Sequence, residues 1–250
     1  MSMTPPPRRS AAYRLPGVFA LALVGGAGIF TAHRAEQTFS DRATTSRPAP
    51  ELLRLHSSSA DIELVPGSGR RIQIEWKADW VGGRPSHFLR TSGGVIELGG
   101  SCRGGLTHVT GLFAFQSPCS IRYRISVPQG QAIRLDVDSA DTSLTGLRGP
   151  ITVHASSGDI AAHDLRSDRV ELSASSGDIS ASFARAPTSL RTSASSGDVS
   201  VRVPAGRYHV TASANSGDRS VRDLLEDPSS KRTIVARTHS GDISIAGTAR

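Results

Sequence analysis

Aspartate is the residue whose type and spacing in this sequence could do chemistry. Asp159, Asp178, Asp198, Asp218 and Asp242 each follow a glycine: Gly158, Gly177, Gly197, Gly217 and Gly241. The fullest copies of the phrase are Ser156-Ser157-Gly158-Asp159-Ile160 and Ser175-Ser176-Gly177-Asp178-Ile179. Successive glycines lie 19, 20, 20 and 24 residues apart. Ser139-Ala140-Asp141-Thr142 is a degenerate copy, and Ser58-Ser59-Ala60-Asp61 is another. Carboxylates repeated at fixed spacing could line up calcium ions, supply the acid and base of a polysaccharide-cleaving enzyme, or close turns.

Magnitudes favour the turn. If the repeats stack as strands, neighbouring carboxylates lie about 4.8 Å apart, and their repulsion is about 1 kcal/mol per pair in a water-like dielectric. Each Asp can offset this by accepting backbone N–H and serine hydroxyl hydrogen bonds in its own turn, at roughly 1.5–3 kcal/mol for a charged acceptor, while Gly supplies the positive φ. Calcium-binding β-rolls repeat every nine residues, and no such period occurs here. No metal and no cofactor are therefore expected.

Catalysis fares no better. A glycosidase needs one unique pair of carboxylates, whereas these acids occupy equivalent positions in every repeat. His154, His163, His209 and His239 share no spacing that would place one as a base beside a unique serine. The expectation is no catalytic residue and no enzyme, with a carbohydrate-active enzyme on a β-helix as the alternative. Outward columns of Ser173, Ser193 and Ser213, and of Ser180, Ser200, Ser220 and Ser244, read first as soluble surface and second as a wall for a glycan or a partner strand.

The two cysteines, Cys102 and Cys119, stand at the ends of an insertion over residues 99–120 that also holds Phe113 and Phe115. In an exported domain that arrangement reads as a disulfide clamping the loop, a closure of about 3 kcal/mol in the chain-entropy model. Two free thiols are the other reading.

Around every Gly-Asp phrase, apolar residues alternate with polar ones. Val170, Leu172 and Ala174 precede one corner, and Ile179, Ala181 and Phe183 follow it. Period two means strands with one buried face, and a unit of about twenty residues means stacked coils. The fold expected over residues 51–250 is all-β: a parallel β-solenoid of two-strand coils. Sequential stacking would put Val170, Leu190 and Val210 in one interior column and Ile160, Ile179 and Val199 in another. The insertion would cap the N-terminal end, and the C-terminal coil would be left open for self-association.

Residues 15–32 form an uncharged apolar run, just long enough to cross a bilayer as one helix. Arg8, Arg9 and Arg14 before it keep residues 1–14 in the cytoplasm as a short tail. A transmembrane anchor or a cleaved signal over residues 15–34 would export the rest, with residues 35–50 as a flexible linker. The formal charge of +7 is concentrated before residue 35, and the remainder is no footprint for nucleic acid.

The Ser-Ser-Gly-Asp coils, the preceding segment CSIRYRISVPQG and the single N-terminal apolar run resemble a family of bacterial proteins provisionally named adhesins, which carry an SGD-rich β-solenoid domain of unknown function. The resemblance covers about residues 50–247. It implies a cell-envelope protein, with some relatives linked to envelope stress, anchored in the membrane through residues 15–32. It also implies an envelope protein or glycan as partner, or a second copy of the chain. Arg219, where the pattern demands an apolar residue, and the long connection 223–233 depart from it.

Overall fold

In the computed structural model, which describes residues 38–81, 84–101 and 119–248, every regular element is a β-strand. The chain begins with β1 (Thr38–Pro48), β2 (Leu52–Ser57), β3 (Asp61–Pro66), β4 (Arg71–Val81) and β5 (Ser86–Ser92). It continues through β6 (Val95–Ser101), β7 (Cys119–Val127), β8 (Ala132–Ser139), β9 (Thr142–Thr145) and β10 (Ile151–Ser157). The regular repeats are β11 (Ile160–Leu165), β12 (Arg169–Ser176), β13 (Ile179–Phe183), β14 (Ser189–Ser196) and β15 (Val199–Pro204). The last are β16 (Arg207–Ser216), β17 (Arg219–Arg222), β18 (Leu225–Glu226), β19 (Thr233–Ser240) and β20 (Ile243–Thr248).

These strands form two ten-stranded sheets, mostly parallel, in a solenoid-like arrangement. One runs β1-β4-β7-β3-β9-β11-β13-β15-β20-β17, the other β18-β16-β19-β14-β12-β10-β8-β2-β6-β5. A coil is one strand from each sheet joined at a corner, as in β10 and β11 or β12 and β13. Registers are unbroken where the repeat is regular: Ile151 pairs with Val170 and Val170 with Leu190. Inward residues of both sheets are buried, with Leu135, Val153, Leu172, Ile160 and Ile179 at most 1% exposed. Burying each such side chain contributes about 1.5–3 kcal/mol, so a thin interior suffices because every coil repeats it.

The coils do not stack in the order of the chain. β19 lies between β14 and β16, pairing with both, and β20 lies between β15 and β17. The interior column is therefore Val170, Leu190, Ile234, Val210, and the other is Ile160, Ile179, Val199, Ile243, Arg219. The coil of residues 233–248 is enclosed and the coil of residues 207–222 is outermost, which corrects the expectation of an open C-terminal coil. The same interleaving occurs at the other end. β2 lies between β8 and β6, and β3 between β9 and β7.

The N-terminal end is closed by antiparallel strands, a feature absent from a simple solenoid. β4 pairs with β7, β1 with β4, and β5 with β6. Residues 38–48, expected within a flexible linker, are thus a paired strand, because β4 offers them an edge eleven residues long. Trp76 of β4 stacks on His87 of β5, ring centroids 3.6 Å apart. Beneath them Tyr123 is buried and its hydroxyl donates to the carbonyls of Phe88 at 2.8 Å and Gly99 at 3.0 Å. Burial pushes its phenol up to about 12.

The expected tail, membrane segment and most of the insertion, including Cys102, lie outside the described residues. Among the described residues no helix is long and apolar enough to cross a membrane. β6 and β7, the strands on either side of the insertion, belong to different sheets.

Candidate functional site

The repeated Gly-Asp corners form one continuous line along the stack. At the enclosed Gly-Asp corners, those of Gly158, Gly177, Gly197 and Gly241, three consecutive backbone N–H groups donate along the stack. Gly177 N–H donates to the Ser196 carbonyl at 3.0 Å, and Ile179 N–H to the Asp198 carbonyl at 2.8 Å. Between them, Asp178 N–H donates to Oδ1 of Asp159 at 2.8 Å. Each carboxylate thus accepts from the backbone of the next coil's aspartate. The expectation that each Asp closes its own turn is corrected: it fastens its neighbour.

The ladder runs Asp61, Asp141, Asp159, Asp178, Asp198, Asp242, Asp218. Its N–H to carboxylate distances are 3.4, 3.0, 2.8, 2.8, 2.7 and 2.8 Å in that order. A charged acceptor in each rung offsets the repulsion of carboxylates stacked one coil apart. Asp61 is a rung that spacing alone did not single out, because eighty residues separate it from Asp141. Its signal was the degenerate phrase Ser58-Ser59-Ala60-Asp61.

Glycine is required here for two reasons. Gly158, Gly177, Gly197, Gly217 and Gly241 have φ between +110° and +142°. A Cβ on Gly177 would also lie 2.2 Å from the carbonyl oxygen of Gly158, and one on Gly241 2.3 Å from that of Gly197. Ala60 and Ala140 stand at the N-terminal corners, and neither has a positive φ. The Gly-Asp pairs named from the sequence therefore stand in one line of corners, with Oδ1 of each acid up to Asp242 accepting in a rung.

Near the first rungs, Asp61, Glu63, Asp141 and Asp159 line an open depression with Arg122, Thr142 and Ser143. Glu63 is neutralised by Arg124 at 2.5 Å. Among the described residues no group of three His, Cys, Asp or Glu is arranged to hold a metal ion. The histidines are dispersed: His239 meets Asn215 at 2.8 Å, and His56 lies 3.5 Å from Asp138. The serine wall from Ser180 through Ser200 and Ser244 to Ser220 is continuous. The other wall is broken, since Arg237 separates Ser193 from Ser213. Cys119 opens β7, and no cysteine among the described residues is free. Its expected partner Cys102 lies outside them.

A family model described as Toastrack DUF4097 matches residues 120–246. No curated protein is similar to the chain. A Clostridium sporogenes protein provisionally named a cell adhesion protein is 13% identical, over 85% of this chain and 100% of its own, with a TM-score of 0.46. A Bacteroides fragilis protein provisionally named an adhesin is 10% identical, over 82% and 97%, with a TM-score of 0.30. A Parabacteroides distasonis protein provisionally named a lipid binding protein is 9% identical, over 84% and 95%, with a TM-score of 0.34. Likenesses of this order carry no information about activity.

Proposed function

The chain belongs to the Toastrack DUF4097 family, and on that premise we propose that it is a non-enzymatic binding or scaffold module of the bacterial envelope. The observation that carries this reading is the ladder. The one set of chemically capable groups that recurs in the sequence is spent on fastening coils together, rung by rung. What remains is a regular frame with polar outer faces, suited to presenting a surface to an envelope protein or a glycan.

In this reading residues 15–32 anchor the chain in the membrane and the β-solenoid of residues 51–250 lies outside the cytoplasm. Cys102 and Cys119 pair across the insertion. The test is protease accessibility on intact cells and spheroplasts, followed by capture from an envelope extract with the purified protein. Protection of residues 50–250 in spheroplasts sinks the location. An extract that yields no specific protein or glycan sinks the binding role. Replacing Asp159, Asp178 and Asp198 together separates this reading from a carbohydrate-active enzyme, for which those acids would be needed in turnover.

A further inference from the structure

In a stack of identical coils the outermost one presents what every other coil buries: an apolar inward stripe and two unpaired strand edges. Such an end is a template for another chain. Here the outermost coil is residues 207–222, and its stripe of Val210, Ala212, Ala214 and Val221 is only half-buried. The position after the Gly-Asp corner is Ile160, Ile179, Val199 and Ile243 in the coils beneath, each at most 1% exposed. In this coil alone it is Arg219. Its backbone keeps the register, pairing with Ile243, so the charge is placed at the mouth of the interior without disturbing the strand.

Arg219 is not alone there. After β17 the chain crosses to the other sheet and lays β18 on the outer edge of β16, where Arg207 and Tyr208 pair with Leu225 and Glu226. Glu226 thereby meets the Arg219 guanidinium at 3.2 Å. One partner stands on the outermost strand of each sheet, so the ion pair bridges the mouth between them. The connection behind is pinned by Asp227, which accepts from the Ser229 hydroxyl at 2.7 Å and the Ser229 N–H at 2.9 Å.

We propose that Arg219 and Glu226 are a stacking stop: they shut an end surface that would otherwise receive the same end of a second copy of this chain. The apolar stripe, the edge of β17 and the part of the β16 edge that β18 leaves uncovered are self-complementary about a two-fold axis that joins the edge strands antiparallel, since an isologous contact uses one patch on each partner. About the same axis Arg219 would meet a like-charged strand carrying Arg219 and Arg222, and a desolvated guanidinium with no carboxylate is costly. The stop therefore works by charge as well as by covering the stripe.

The experiment measures the mass of the full chain by light scattering, in the same mild detergent for every variant, over a wide range of concentration. Wild type and Arg219→Lys are expected to remain monomeric. Arg219→Ile, which restores the residue type of the buried coils, is expected to double in mass as concentration rises. A cysteine at Ser213, on the exposed strand β16, should then cross-link two copies in the Ile variant only. A folded Arg219→Ile that stays monomeric overturns the proposal, as does a wild type that associates equally. Should the Ile variant fail to fold, Arg219→Ser removes the charge without adding apolar surface. It must associate more than wild type or the proposal fails.

Discussion

Oδ1 of Asp178 accepts the backbone N–H of Asp198 at 2.8 Å, across the boundary between two coils. A side chain in one coil thus completes the backbone of the next, and the repeat is cooperative through its corners as well as through its sheets. Asp178→Ala should cost about 1–2 kcal/mol, the lower part of the range for a charged acceptor because the corner is exposed. Asp178→Asn keeps an acceptor and should cost less. Urea denaturation of both variants checks the order; equal losses would remove the rung from the account of stability.

Gly177→Ala should be far more damaging. The backbone there has φ of +133°, and the new methyl would strike the Gly158 carbonyl. Strain of this kind costs about 1–3 kcal/mol, and forcing two coils apart adds to it. Ala140→Gly, at a corner without positive φ, should cost well under 1 kcal/mol. The contrast in thermal midpoint between the two variants is the measurement.

Thr192 sits in the interior with its hydroxyl unpaired, between Leu172 and Ala236. An unsatisfied buried hydroxyl costs about 1–3 kcal/mol, and an apolar group of the same shape removes that cost. Thr192→Val should therefore stabilise the fold by about 1 kcal/mol. A shift of the urea midpoint to lower concentration would contradict this.

Tyr123 makes the fold sensitive to alkali. Its folded phenol is raised to about 12 by burial, above its ordinary value near 10. A raised pKa means its contribution is complete below the unfolded value and is lost as pH climbs from there through the folded one. Stability should fall through that window, with Tyr123 titrating late in ultraviolet absorbance and Tyr208, also raised by burial, contributing to the late titration. Tyr123→Phe should lose its share of that late phase, and with it the part of the alkaline fall that belongs to the phenol.

The strands and corners were legible because they rest on local physics. Period-two alternation at Val170, Leu172 and Ala174 fixes a buried face, and Gly177-Asp178 fixes a bend. Layer order was not legible, because Leu190 can pair with Val210 or Ile234 with equal chemistry. The one residue that distinguished the layers was Arg219, since a charge in an interior column is tolerable only at an end. Strand β1 was missed because its Ser, Thr and Pro content reads as linker, while β propensity depends on the neighbour that pairs with it. Among site residues, the acids were found and their partners were not: a rung joins residues from different coils, which no single repeat displays.

The interleaved layers have a consequence in time. A chain is made from its N-terminus, so residues 207–222 emerge before residues 233–248, the segment that must separate them from residues 189–204. Premature docking of the earlier coil onto β14 and β15 would bring Arg219 against Val199 and occupy the berth of Ile243. The charge that closes the finished end thus also penalises the wrong order of layers, because it would leave a guanidinium inside the column.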